Sequence, residues 1–88
     1  MVYVQMTRDQ ALVAALEISQ TYLQGERAVR DPRSISMTHL RWMVERMTWD
    51  MSENKTMRWL GYVQGVLVSR GAATLDEMKD VNKRATGK

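Results

Sequence analysis

Two capping boxes lie near the two ends of this 88-residue chain, and each predicts the start of a helix. In Thr7-x-x-Gln10 and Thr74-x-x-Glu77, the threonine hydroxyl accepts from a backbone N–H three residues later, and the Gln or Glu side chain accepts from the threonine N–H. A chain of this length builds only one hydrophobic core, so both helices must belong to the same small domain.

Apolar residues recur at helical spacing after the first capping box and predict a helix over residues 8–24. Its predicted core stripe is Leu12, Ala15, Leu16, Ser19, Tyr22 and Leu23, widened by Ala11, Ala14 and Ile18. Gly25 ends this stripe, and Pro32 disfavours helix at its own position and at the residue before it. Residues 25–35 are therefore predicted to form a loop.

A second helix is predicted over residues 36–51, with Ser34 or Ser36 as its cap. Its core side is predicted to be Leu40, Met43, Val44, Met47 and Met51, with Trp42 and Trp49 on a neighbouring stripe. Two apolar stripes on one helix indicate burial from two sides.

Two more helices are predicted in the second half of the chain, over residues 53–70 and 75–85. The third helix carries Trp59, Leu60, Val63, Val66 and Leu67 and ends at Gly71; the fourth presents Leu75, Met78, Val81 or Asn82, and Ala85 inward. The predicted fold class is all-α, a three- or four-helix bundle with a short extended arm over residues 1–6. Because so short a chain cannot cover all this apolar surface alone, we expect a homo-oligomer.

Residue types that support metal binding or covalent catalysis are scarce. The chain has no cysteine and a single histidine, His39, which excludes thiolate ligands and a cluster of imidazoles. Glu45 lies six residues from His39 and faces elsewhere on the predicted helix, so it cannot orient the ring as a base. We therefore expect no enzymatic activity, no metal and no cofactor, and a surface or partly packed His39.

The length of the apolar runs bears on the membrane. No stretch approaches the roughly 20 apolar residues that cross a bilayer, and residues 1–6 lack the features of a signal peptide. We expect a cytoplasmic protein that does not enter the membrane.

Arginines recur through the predicted loop and the second helix. The chain carries a net charge of +3, and guanidinium groups bind carboxylates and phosphates bidentately. The predicted binding residues are Arg27, Arg30, Arg33, Arg41, Trp42, Arg46 and Trp49. The alternative is an ordinary solvated face with ion pairs such as Arg41 with Glu45.

Gly61 and Gly65 lie one turn apart on the third helix, where each glycine lowers helix propensity by roughly 1 kcal/mol relative to alanine. Such a cost indicates close approach of another backbone, either the first or second helix of the same chain or a second copy across a symmetric dimer. Together with Trp59 and Tyr62, these glycines are the predicted helix-packing or oligomer interface.

The third and fourth helices with the turn at 71–73 have the outline of a helix-turn-helix. A recognition helix needs donors and positive charge at its start, whereas this chain places Asp76, Glu77 and Asp80 there. Nucleic-acid binding is therefore the least favoured of the binding functions.

The stretch Arg58-Trp59-Leu60-Gly61-Tyr62-Val63-Gln64-Gly65, with the helix over residues 74–84 that follows, resembles a block found in small accessory proteins of tailed bacteriophages. There the block reads Arg-Trp-Leu-Gly-aromatic-x-Gln-Gly and precedes an acidic helix with an Arg-Asp or Lys-Asp step. The resemblance covers the last two fifths of the chain. It implies a phage early or accessory protein made in the bacterial cytoplasm, and it implies no catalytic residue.

Such proteins commonly bind and block a host factor, including a defence system, or sequester a host signal. We therefore expect a non-enzymatic protein that binds and inhibits or modulates a host bacterial protein through residues 27–46 and exposed aromatic side chains. A second hypothesis is sequestration of a phosphate-bearing small molecule, such as a cyclic oligonucleotide, between subunits. A third is nucleic-acid binding by the third and fourth helices.

Overall fold

A computed structural model describes residues 6–31 and 36–87 of the chain. Over these ranges it contains no strand and four helices: α1 (Arg8–Tyr22), α2 (Met37–Arg46), α3 (Glu53–Ser69) and α4 (Leu75–Thr86). The chain is a small all-α bundle, which confirms the predicted fold class. Of the predicted N-terminal arm, residues 1–5 lie outside the described residues, as do residues 32–35 of the predicted loop, whereas Met6 is described and is buried.

Each helix begins at a hydroxyl side chain that satisfies a free backbone donor. Thr7 and Thr74 form the predicted capping boxes, with both reciprocal hydrogen bonds present in each. Ser36 and Ser52 cap α2 and α3 by accepting from the backbone N–H three residues later. These caps depend only on neighbours along the chain, so the sequence predicts them well.

α1 lies at the centre of the bundle because it packs against each of the other three helices. Its inward side is rich in alanine, and these small side chains permit neighbouring helices to approach closely. α3 also packs against α2, whereas α3 and α4 scarcely contact each other. The largest fully buried apolar side chains are Ile18, Leu23, Leu40, Met47, Val63, Leu67 and Val81.

The buried side of α1 is rotated relative to the predicted stripe. Leu16, predicted to face the core, is 57% exposed, whereas Ala11 and Ala14, predicted only at its margin, are fully buried. Three neighbouring helices favour the side of α1 with the smallest side chains, and Leu16 remains outside. Leu75 on α4 departs from the prediction in the same way and is 50% exposed.

α2 ends at Arg46, five residues before the predicted end at Met51. Beyond it, hydrogen bonds from Thr48 and Trp49 N–H groups to carbonyls three residues earlier form tight turns. The guanidinium of Arg8 donates from Nε to the Met51 carbonyl at 2.9 Å and from a terminal nitrogen to the Trp49 carbonyl at 2.8 Å. These bonds hold the segment in a non-helical course, so Trp49 does not lie on α2, whereas Trp42, the other residue of the predicted second stripe, does lie on α2 and is partly buried.

α3 ends in a Schellman motif. Gly71 has a φ of +74°, its N–H donates to the Val68 carbonyl, and the N–H of Ala72 donates to the Leu67 carbonyl. By contrast, a Cβ added to Gly61 or Gly65 would meet no heavy atom within 4 Å. The prediction that these two glycines admit α1 or α2 of the same chain is therefore wrong.

An ion pair and a hydrogen bond connect α1 to α4. The guanidinium of Arg84 donates to both carboxylate oxygens of Glu17, with Nε 2.9 Å from Oε1. These hydrogen bonds lower the pKa of Glu17. The Tyr22 hydroxyl donates to Glu77 at 3.2 Å, and partial burial, followed by the Glu77 charge, raises the pKa of Tyr22.

Candidate functional site

The loop after α1 is held against the start of α2 by two hydrogen bonds that involve its backbone N–H groups. Val29 N–H donates to the Thr38 carbonyl at 3.2 Å, and Asp31 N–H donates to Nδ1 of His39 at 3.0 Å. His39 is buried and holds the loop against α2. Because Val29 and Asp31 are both hydrogen-bonded to α2, Arg30 between them is held above this helix.

Trp42 forms the centre of an aromatic cluster where α2 meets α3. Its ring stacks on His39, one turn earlier on α2, with ring centroids 5.7 Å apart and planes inclined by 14°. Trp59 on α3 lies 5.9 Å from Trp42, centroid to centroid, in a tilted arrangement. The Arg30 guanidinium carbon lies 5.7 Å from the Trp42 ring centroid, within the range of a cation–π contact.

A cleft of about 400 Å³ opens beside this cluster. Its lining residues are Arg30, His39, Trp42, Met43, Trp59 and Tyr62. Tyr62 is 44% exposed at this cleft, so part of the aromatic surface is open to a ligand or partner. Aromatic walls with a guanidinium suit the binding of apolar groups that also carry negative charge.

A second cleft, of about 440 Å³, continues the same surface, because Trp59 lines both. Lys55 Nζ lies 5.3 Å from the Trp59 ring centroid, one helical turn away on α3. Arg46 Cζ lies 4.8 Å from the centroid of Trp49, a ring that is 63% exposed. We call this continuous surface the aromatic face; it comprises Arg30, His39, Trp42, Arg46, Trp49, Lys55, Trp59 and Tyr62.

Each of the three cations on the aromatic face contacts a tryptophan ring. Within the described residues, Arg30, Arg46 and Lys55 form no ion pair with a carboxylate. Asp50 is the one acid among the residues that line the two clefts. The face is therefore predominantly cationic and aromatic.

The predicted binding residues divide between this face and other places. Arg30, Trp42, Arg46 and Trp49 lie on it. Arg27 is exposed in the loop and lines neither cleft, and Arg33 lies outside the described residues. The predicted interface residues divide too: Trp59 and Tyr62 lie on the aromatic face, whereas Gly61 and Gly65 lie between α3 and α4.

Arg41 serves the fold. One of its terminal nitrogens donates to the Leu23 carbonyl at 3.2 Å, at the C-terminal end of α1 where a cation is favoured. Its Nε lies 3.5 Å from Oε1 of Glu45, an ion-pair contact without a hydrogen bond. The pairing with Glu45 predicted from the spacing is therefore present, and Arg41 lines neither cleft.

Sequence reasoning missed His39 and Lys55 as members of the aromatic face. Both carry a signal that helical spacing could have revealed. His39 precedes Trp42 by three residues and Lys55 precedes Trp59 by four, which places each pair on one side of a helix. The contact between Trp42 and Trp59 has no such local signal because it joins two helices.

Two structural findings concern other kinds of site. Across residues 6–31 and 36–87, no three His, Asp or Glu side chains lie close enough together to hold a metal ion. Over the same ranges, no helix has both the length and the apolar character that a membrane crossing requires.

No protein-family model, no curated protein and no solved structure matches the chain. The resemblance of residues 58–65 to phage accessory proteins therefore stays a prediction.

Proposed function

We propose that this chain is a non-enzymatic binding protein whose aromatic face engages a host bacterial protein and inhibits or modulates it. The observation that carries the proposal is the exposure of Trp49, at 63%, beneath the guanidinium of Arg46. Folding leaves this large apolar ring in water with a cation above it, so folding recovers little of the free energy of burying it. Burial of the ring against a partner would contribute that free energy to binding.

The composition of the face supports a protein partner. Tryptophan, tyrosine and arginine are the residue types that most often dominate binding energy at protein interfaces. Trp42 and Trp59 are partly buried and packed against the core, so they offer contact area at little cost in conformational entropy. Trp49 and Tyr62 extend this surface outward.

The charge of the face supports an acidic patch on that partner. Arg30, Arg46 and Lys55 are free of ion pairs within the described chain and the net charge is +3, so long-range attraction would speed encounter with an acidic surface. The resemblance to phage accessory proteins supplies the setting, a host factor that could belong to a defence system.

The test compares two exposed apolar residues on different surfaces. Trp49→Ala and Leu16→Ala each remove a side chain that is more than half exposed, 63% and 57% respectively, and Leu16 lines neither cleft. A partner is isolated from infected cells with the tagged wild type, and its affinity for each purified variant is measured by calorimetry. We expect Trp49→Ala to weaken binding by on the order of tenfold or more and Leu16→Ala to leave it unchanged.

Equal effects of Trp49→Ala and Leu16→Ala would contradict the assignment of the aromatic face. So would binding that survives the combined Arg46→Ala and Trp49→Ala change. Circular dichroism on each variant checks that the helices are intact, which we expect because both side chains project into solvent.

A second candidate function is sequestration of a phosphate-bearing small molecule, favoured by the cleft that Arg30, Trp42 and Tyr62 line. Its volume of about 400 Å³ lies within the range of ligand pockets. Trp42 already contacts both His39 and Trp59, so a base would stack on an outer ring face. Tryptophan fluorescence titrated with cyclic oligonucleotides distinguishes this function: saturable quenching that Arg30→Ala weakens supports it, and an unchanged signal rejects it.

A further inference from the structure

A groove of about 280 Å³ runs between α3 and α4, away from the aromatic face. It exists because both helices pack on α1 and scarcely on each other. Gly61, Gln64, Gly65 and Val68 line its α3 side, and Leu75, Met78, Lys79 and Asn82 line its α4 side. Gln64 Nε2 on α3 donates to Asn82 Oδ1 on α4 at 2.8 Å, and this hydrogen bond joins the two helices that line the groove.

The groove leaves apolar surface of α3 and α4 uncovered. Leu75 is 50% exposed, and a Cβ on either Gly61 or Gly65 would meet no heavy atom within 4 Å. Each glycine in a helix interior costs roughly 1 kcal/mol relative to alanine, and packing within the described chain does not offset this cost. A helix seated in the groove would bury Leu75 and approach the glycine backbone closely.

The charges of α4 indicate which helix would occupy the groove. Its first turn carries Asp76 and its last turns carry Lys83, and both side chains are exposed. An antiparallel copy of α4 would therefore set Asp76 of one chain opposite Lys83 of the other, twice by symmetry. A parallel copy would set like charges opposite each other, which is unfavourable.

We propose that a second copy of this chain occupies the groove, with the two α4 helices antiparallel about a two-fold axis. The chain reverses between α3 and α4, so Leu75 lies at the Val68 end of the groove and the Gln64–Asn82 bond marks the other end. The two-fold axis brings Leu75 of each chain to the Gly61 end of the other groove. There the bare glycine backbone leaves room for the leucine side chain.

Mass in solution tests the proposal, by light scattering after size exclusion across a range of protein concentrations. We expect the wild type to reach twice the mass of the chain. Gly65→Leu should fill the groove from within and weaken self-association by on the order of tenfold or more. A Cβ at position 65 meets no heavy atom within 4 Å and leucine favours helix more than glycine does, so we expect this variant to fold, which thermal unfolding checks.

A charge exchange tests the antiparallel arrangement. Asp76→Lys should weaken the dimer by placing lysine opposite Lys83, and adding Lys83→Asp should restore it because the pair is exchanged. Asp50→Lys, which changes an exposed acid lining the second cleft, is the matched control and should leave the mass unchanged.

A wild type that stays monomeric at every concentration overturns the proposal, and so does a dimer that Gly65→Leu leaves intact. A dimer broken by Asp76→Lys and not restored by the double change overturns the antiparallel arrangement. The outcome is separable from the proposed function, because Gly65→Leu should leave partner binding through Trp49 unchanged.

Discussion

His39 illustrates how one residue type can take a structural role that composition does not reveal. As the single histidine of the chain, it could be read as a free surface side chain, yet it is buried, accepts from the Asp31 N–H and stacks on Trp42. The reason is its place one turn before a tryptophan and beside a loop that needs a hydrogen-bond acceptor. At the residue scale, spacing predicts the stack, whereas the loop contact depends on the fold.

Glu17 gives a pH prediction at this scale. Hydrogen bonds from Arg84 lower its pKa in the folded state, so its stabilising effect is present above the unfolded pKa and is lost as pH falls through the folded pKa. We expect Glu17→Gln to reduce the unfolding free energy at neutral pH. The unfolding free energy of this variant should also decrease less than that of the wild type as the pH is lowered, which urea unfolding from neutral to acidic pH measures. In an Arg84→Gln background, Glu17→Gln should have little further effect, and an undiminished effect would contradict the pairing.

At the element scale, the four helix starts agree with the sequence, whereas one helix end does not. α1, α3 and α4 end within two residues of the prediction, but α2 stops five residues early. Capping hydroxyls act over three residues, so helix starts are local properties. The end of α2 depends on Arg8, which is 41 residues from Trp49 in sequence and binds its carbonyl.

The glycines of α3 give a prediction at this scale. Gly61→Ala should raise the unfolding free energy by about 1 kcal/mol, because the added methyl group meets no neighbour and alanine favours helix. Gly71→Ala should lower it by about 1 kcal/mol, because a φ of +74° is strained for a residue with a Cβ. Urea unfolding at low protein concentration measures both, and a destabilising Gly61→Ala would contradict the open space beside that position.

At the scale of the whole molecule, the central position of α1 explains where both surfaces lie. α1 packs against three helices, so α2 meets α3 on one side to form the aromatic face, and α3 and α4 diverge on another to leave the groove. Four short helices around one centre leave apolar residues such as Leu75 and Trp49 at the surface. Two separate surfaces could then serve a partner and a second copy independently.

The alanine-rich centre gives a prediction at this scale. Ala14 is fully buried, so Ala14→Leu should force α1 away from its neighbours and lower the unfolding free energy by about 1–3 kcal/mol. Leu16→Ala removes an exposed side chain of the same helix and should change it by less than about 0.5 kcal/mol. Thermal and urea unfolding measure the pair; the opposite ranking would mean that the predicted Leu16 stripe faces the core.

Many residues of the candidate site can be predicted from the sequence, but their arrangement in space cannot. Arg30, Trp42, Arg46 and Trp49 carry the residue chemistry of an interface, and four of the seven predicted binding residues lie on the aromatic face. Arg41 was predicted with them but is directed to the end of α1. Side-chain type indicates what a residue can bind, and only its neighbours decide where it points.

The sequence by itself determined the all-α class, the four helix starts and the turn at Gly71, because hydrogen bonds and backbone preferences within a few residues decide each of them. The tertiary structure decided which side of α1 faces inward, where α2 ends and that Gly61 and Gly65 face an open groove. Those outcomes depend on contacts between residues far apart in the chain, whose energies exceed the local preferences and leave no periodic signal in the sequence.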